Sequence, residues 1–167
     1  MKNHLPRYGV GPFYVIAISI LSLCGIVLHV CNLLESGAIT NIIDDSLWSC
    51  VIFYIIGVLL IVVGILLWIF SLLISKIVEG IYENRLITTG IYAWVRNPIY
   101  SGAIFICSGA VLFCCNLWLL ICPIIDYITL TVLMIFTEEK WLRNLYGQQY
   151  IDYCKKVNRI LPWFPKK

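Results

Sequence analysis

Arg96, Glu138 and Glu139 are the side chains of this sequence best suited to chemistry, because the long apolar run between Arg96 and Glu138 holds no Asp, Glu, Lys or Arg other than Asp126. Arg96 belongs to the run Thr88-Thr89-Gly90-Ile91-Tyr92-Ala93-Trp94-Val95-Arg96-Asn97-Pro98-Ile99-Tyr100-Ser101-Gly102, which sets polar, cationic and turn-forming residues at the mouth of an apolar segment. Its guanidinium is a planar fork of donors that suits a carboxylate. Asn97 is a good N-cap, and Pro98 suits the first helical position, where its missing N–H costs nothing. A helix beginning there aims free N–H groups and its positive dipole end at the same point, an anion site. Pro98 also disfavours helical geometry at Asn97, which keeps the entrance open. Glu138 and Glu139 return to this end one helical hairpin later. Adjacent carboxylates point about 100° apart on a helix, so one can face the bundle and the other solvent or Arg143. An arginine and two carboxylates converging here would hold a small zwitterion. Ordinary capping with a snorkelling arginine, and salt bridges to Lys140 and Arg143, account for the same residues, so charge alone leaves both readings open.

The elements that must position these groups are membrane helices. Of 167 residues, 61% are hydrophobic and 13% charged, whereas soluble domains carry about 25% charged residues. Pro12–Leu34 and Leu47–Ser75 contain no Asp, Glu, Lys or Arg, and about 20 such residues cross the hydrocarbon core. The first segment reads as a span and not as a cleaved leader, because no small-residue cleavage pattern follows it. Ile99–Cys115 and Leu117–Phe136 read as a third and fourth span joined by a tight turn at Asn116, the third being short. On this reading Glu138 and Glu139 end the fourth helix, where the dipole disfavours acids. Gly57 and Gly64 lie seven apart on the second helix, as do Gly102 and Gly109 on the third, so each pair admits a close backbone. Gly147–Val157 places Tyr150, Tyr153, Cys154 and Val157 on one helical face, a helix lying on the membrane or folding over the site. Leu161-Pro162-Trp163-Phe164-Pro165 follows as an interfacial anchor. The expected fold is an all-α integral membrane protein, one domain over residues 1–167, with about four transmembrane helices and a C-terminal amphipathic helix.

Basic residues set the orientation. Lys2 and Arg7 precede the first span, Lys76, Arg85 and Arg96 lie in the second connection, and Lys140, Arg143, Lys155, Lys156, Arg159, Lys166 and Lys167 follow the fourth span. The first loop, Glu35–Ser46, holds Glu35, Asp44 and Asp45 but no Lys or Arg. Four spans therefore put every base on one side, with both termini cytoplasmic. The basic face is explained by anionic lipid headgroups, and nothing points to nucleic acid. Eight cysteines without ligand or Cys-x-x-Cys spacing indicate neither a disulfide framework nor a metal site. His4 and His29 are isolated, and His29 reads as a hydrogen-bonded helix residue. Asp126, in mid-span after Pro123, should face the bundle, be hydrogen-bonded or be protonated, because an unpaired charge there costs on the order of 3 kcal/mol. The charges of Glu79–Arg85 read as a solvated face.

These blocks resemble the integral-membrane S-adenosylmethionine-dependent methyltransferases of the isoprenylcysteine carboxyl methyltransferase and phospholipid methyltransferase superfamily. Members carry Thr-x-Gly-Pro-Tyr-x-x-x-Arg-His-Pro-x-Tyr, matched here by Thr88 to Tyr100, then Glu-Glu, matched by Glu138-Glu139. A Phe/Tyr-Gly-x-x-Tyr-x-x-Tyr tail is matched by Tyr146-Gly147-Gln148-Gln149-Tyr150-Ile151-Asp152-Tyr153, running on to Pro162. The resemblance covers residues 86–162. Asn97 replaces the usual histidine, Ile91 the usual proline and Asn158 a frequent proline. Asparagine retains hydrogen bonding but cannot titrate near neutrality, which removes proton acceptance at that position. The resemblance implies that Tyr92, Arg96, Asn97, Pro98, Tyr100, Gly102, Glu138 and Glu139 bind S-adenosylmethionine, and that Glu139 and Arg159 act on the reaction. It also implies a lipophilic acceptor entering between helices, such as a prenylcysteine-like carboxylate. Two rivals use the same elements: a four-helix proton-coupled transporter built on Asp126, and an NADPH-dependent membrane reductase of related architecture. Substrate identity and oligomeric state are not encoded in any motif.

Overall fold

The computed structural model describes residues 11–42, 46–74 and 85–164. Lys2, His4, Arg7, Asp44, Asp45, Ser75, Lys76, the segment 79–84, and Pro165 to Lys167, all used in the sequence reading, lie outside these ranges. Six helices organise the described residues: α1 Gly11–Val30, α2 Ser46–Ile69, α3 Pro98–Leu112, α4 Ile121–Phe136, α5 Glu138–Tyr146 and α6 Gln148–Lys156. A wide turn, Phe70–Ile74, extends α2, and a single helical turn, Ile39–Ile42, lies between α1 and α2. No named strand occurs among the described residues; two isolated bridges, Ala38 to Asn116 and Val95 to Asn158, tie loops together.

Three stretches are long and apolar enough to cross a membrane, Gly11–Val30, Leu47–Leu73 and Trp118–Tyr146, and Pro98–Leu112 is a shorter apolar helix. The chain is a multi-pass membrane protein. The apolar part of the third stretch ends at Phe136; α5 beyond it is polar and lies past the span. Burial follows the helical period. On α1 the buried residues are Gly11, Tyr14, Ile18, Ser22 and Gly25, a stripe at spacings of three and four. On α4 they are Cys122, Asp126, Leu130 and Met134, one every fourth residue. The other faces carry exposed Ile, Leu, Val and Phe, as a helix in lipid requires.

The short helix α3 is the centre of the bundle, with ten of its residues buried from Pro98 to Val111. Close packing of α2 on α3 depends on glycine. A Cβ on Gly109 would stand 2.5 Å from the Gly57 carbonyl oxygen, and one on Gly57 would stand 2.9 Å from that of Gly109. Gly64 and Gly102 repeat the arrangement, a Cβ on either standing 2.7 Å from the other's carbonyl oxygen. The two heptad-spaced pairs thus oppose each other across antiparallel helices, so the backbones touch where the sequence provides no side chain.

Helix ends differ from the expected bounds for local reasons. The first helix stops at Val30, four residues early, and Asn32 beyond it adopts a left-handed φ of 60°. The fourth begins at Ile121 after a tighter turn, Trp118–Leu120. Asn116 is the hub of that end: its amide donates to Leu34 O at 2.8 Å and meets His29 Nδ1 at 3.2 Å, while its oxygen accepts the Trp118 N–H at 2.9 Å. One boundary corrects the sequence reading. Thr137, at φ −118° and ψ −81°, breaks the helix, so Glu138 and Glu139 begin α5 instead of ending α4. Acids in a first turn are favoured by the dipole.

Candidate active site

Glu139 is the electrostatic centre of the molecule's charged end. It is 2% exposed, and three guanidiniums reach it. Arg96 Nη2 stands 3.2 Å from Oε1, Arg159 Nε donates to Oε1 at 2.5 Å, and Arg159 Nη2 donates to Oε2 at 3.1 Å. Arg143, one turn along α5 and largely exposed, approaches Oε2 at 3.6 Å. Burial pushes the Glu139 carboxyl upward, but the Arg159 hydrogen bond and the Arg96, Arg159 and Arg143 charges outweigh it and hold it below the usual range. The same hydrogen bond raises Arg159. Three cations around one anion leave this end with excess positive charge.

Arg96 is itself nearly enclosed, its side chain 7% exposed. Nη1 donates to Cys154 Sγ and lies 3.5 Å from the Tyr150 hydroxyl, and the Tyr150 ring centroid is 6.0 Å from the guanidinium carbon. That is the outer limit for a cation–π contact. Arg96 Nε is buried with no acceptor. An unpaired buried donor on a cation is costly. Burial raises the Tyr150 hydroxyl, which keeps it protonated and neutral beside Glu139.

Glu138 turns the other way, into the mouth of α3. It accepts the Tyr100 hydroxyl proton at 2.5 Å. Burial raises its carboxyl, with the Tyr100 bond opposing. Both acids thus face the bundle, Glu139 meeting Arg143 as well, and their environments push them in opposite directions. Adjacent carboxylates tuned apart are a recurring feature of active sites. Tyr14 of α1 packs its ring 6.3 Å from that of Tyr100.

The remaining expected residues sort by what they touch. Pro98 is buried at the first turn of α3. Asn97 occupies the cap position without making a side-chain cap bond; its amide donates instead to Arg159 O at 3.0 Å. That tether is part of a longer one, in which Arg96 N donates to Asn158 O at 2.9 Å and Trp163 N to Trp94 O at 3.1 Å. The tail therefore runs along the α3 entrance and carries Arg159 to Glu139. Tyr92 is buried, its hydroxyl 2.8 Å from Ser71 Oγ and its carbonyl accepting the Tyr153 hydroxyl at 2.6 Å. Through that bond α6 is fastened over the site. Gly102 faces α2, against Gly64 and Trp68, and its place is explained by packing. Asp126 lies far from this cluster, fully buried on α4, accepting the Ser22 hydroxyl proton at 3.0 Å. Tyr14 and Thr137 are placed at the site without having been singled out for it; a lone tyrosine or threonine in an apolar run carries no motif. Among the described residues no three His, Cys, Asp or Glu side chains converge as metal ligands.

Comparison with known proteins bears on part of this region. The mouse (Mus musculus) protein-S-isoprenylcysteine O-methyltransferase is 36% identical over 85 residues, covering 48% of this chain and 28% of its own length. The human (Homo sapiens) protein of that name is 35% identical over 87 residues, covering 48% and 28%. A probable protein-S-isoprenylcysteine O-methyltransferase of rice (Oryza sativa subsp. indica) is 31% identical over 91 residues, covering 48% and 42%. The chain spans less than half the length of these curated relatives. No solved structure matches. The profile of the phospholipid methyltransferase family matches residues 52–149, which include Arg96, Glu138, Glu139 and Arg143. With more than half of the chain matched and the charged cluster largely inside the match, this chain belongs to the phospholipid methyltransferase family.

Proposed function

We propose that the chain transfers a methyl group from S-adenosylmethionine to a lipophilic acceptor at the cytoplasmic membrane face, the acceptor being a prenylcysteine-like carboxylate. The observation that carries this reading is the convergence of Arg96, Glu138 and Glu139 at one end of the bundle, with Arg96 Nε buried and lacking an acceptor. That lack fits the cofactor's methionine carboxylate. Glu138 fits its ammonium or ribose hydroxyls, and the Tyr100 ring fits the adenine or sulfonium surroundings, because aromatic faces attract cations. Asn97 and Pro98 shape the α3 mouth, and Tyr92 anchors α6 above it. When bound, the cofactor supplies an electrophilic methyl carried on a sulfonium.

The chain's own residues bind, orient and exclude water. Arg159, partly exposed, offers its guanidinium to the acceptor's carboxylate, and Glu139 holds Arg96 and Arg159 in fixed positions. Such placement of two reactants is the largest lever available in a simple displacement. α6 and the tail, packed over Arg96, keep bulk water out. The acceptor's apolar body stays in the bilayer and enters between helices, and both chain termini lie on the cytoplasmic side. The names of the relatives support the acceptor class.

Vesicles containing the protein, given methyl-labelled S-adenosylmethionine and an S-prenylated cysteine derivative, test this. The expected product carries label that mild base releases as volatile methanol, the mark of a methyl ester, and Arg96→Ala lowers its formation at least about tenfold. Base-stable label would mean a different acceptor atom. No labelled product, from this acceptor or from a total membrane-lipid extract, would end the methyltransferase reading.

A further inference from the structure

The matched family region begins at residue 52, so α1 lies wholly outside it. Yet α1 brings a polar side chain to the site. Tyr14 is 8% exposed, and its hydroxyl stands 2.6 Å from Thr137 Oγ1. Thr137 Oγ1 donates to Leu133 O at 2.6 Å. A threonine hydroxyl has one proton; that proton is used, so Tyr14 is the donor in the pair.

Thr137 is the break between α4 and α5. It occupies the cap position of α5, where a threonine hydroxyl ordinarily accepts a bond from the following turn, but it makes no side-chain cap bond. Its hydroxyl is turned back between Leu133 and Tyr14 instead. Its carbonyl accepts the Trp141 N–H at 3.1 Å, the first bond of α5. The torsions of Thr137 therefore aim α5, and the first two residues of α5 are Glu138 and Glu139. α1 also closes the other side. The Tyr14 ring packs on Tyr100, the donor to Glu138, and Gly11 sits so close to the Tyr100 hydroxyl that a methyl group has no room.

We infer that Tyr14 is a positioning residue: its bond to Thr137 fixes the α4–α5 break so that Glu138 and Glu139 face the Arg96 entrance in their working directions. The inference rests on the reading of this entrance as the methyl-donor site. Its probe is S-adenosylhomocysteine, the demethylated product of that donor, titrated calorimetrically into purified full-length protein, with thermal unfolding recorded beside it.

Tyr14→Phe removes one oxygen and keeps the ring; it is expected to weaken binding about fivefold, the worth of one buried hydrogen bond. Thr137→Val should do the same, and the double variant should bind no worse than either single variant. Thr137→Ser, which keeps the hydroxyl, should bind like the wild type. Ser22→Ala cuts a different α1–α4 tie, the bond to Asp126, remote from the entrance. It should lower the melting temperature and leave affinity unchanged. If Tyr14→Phe binds as tightly as the wild type, if the two single losses multiply, or if Ser22→Ala weakens binding equally, Tyr14 only holds α1 in place and the inference fails. A wild type that does not bind the probe would overturn the methyl-donor reading itself, and this inference with it.

Discussion

Glu139 neutralises only part of the charge that surrounds it, and its removal should be felt in both stability and binding. Taking one partner out of a buried ion pair leaves uncompensated charge and costs about 3 kcal/mol or more. Glu139→Gln should therefore melt well below the wild type in detergent, because Arg96 and Arg159 lose the negative charge they share. Arg143→Ala should change stability by less than about 1 kcal/mol, since its guanidinium is largely in water and screened. The pH response separates the two acids. The Glu139 carboxyl is held below its ordinary value of 4.5, so its stabilisation is complete above that value and is lost as pH falls through the depressed one. The raised Glu138 carboxyl has the opposite sign, favouring the folded state as pH falls. Unfolding temperature followed downward from pH 5 should drop more steeply in the wild type than in Glu139→Gln. Parallel curves would show that the folded protein does not hold the Glu139 carboxyl below its ordinary value.

At the scale of elements, α3 is the bundle's interior and is shorter than α1, α2 and α4, which surround it. Its contact with α2 depends on opposed glycines, so a single methyl is a sharp probe. Gly109→Ala would press a Cβ to 2.5 Å from the Gly57 carbonyl, which is backbone and cannot rotate away. The helices must separate, at a cost of about 1–3 kcal/mol, the usual range for overpacking. The expected result is a lowered melting temperature with S-adenosylhomocysteine affinity preserved in the folded fraction, because Gly109 lies seven residues beyond Gly102 and away from the entrance. Gly102→Ala places a methyl against Trp68, whose indole N–H donates to Ile99 O at 2.7 Å at the α3 mouth. That variant should lose stability and affinity together.

For the whole molecule, the α3–α4 hairpin returns the chain to its starting end, and the tail then crosses the entrance to deliver Arg159. The same topology places Cys154 at the charged end and Cys31 just past the far end of α1, exposed. Single-cysteine variants in sealed membrane vesicles, treated with a membrane-impermeant maleimide, should label Cys154 only from the cytoplasmic side and Cys31 only from the opposite side. Labelling of both from one side would overturn the four-span topology.

The membrane class, the approximate positions of the apolar helices and the seven-residue glycine spacing were legible in the chain, because in lipid apolar length and small residues are nearly the whole local code. The charged groups were legible for a related reason: each acid or base in so apolar a sequence stands out. The contacts those groups make were not legible. That Arg159 reaches Glu139 and that Asn97 holds the tail instead of capping α3 depend on how the tail beyond α6 is brought back against α5 and the α3 entrance, 20 and 62 residues away in sequence. Thr137 shows the limit most clearly: it reads as one more residue of an apolar helix, and only Leu133 and Tyr14, the latter from a helix 123 residues away, turn it into the bend that makes Glu138 and Glu139 the start of a helix instead of its end.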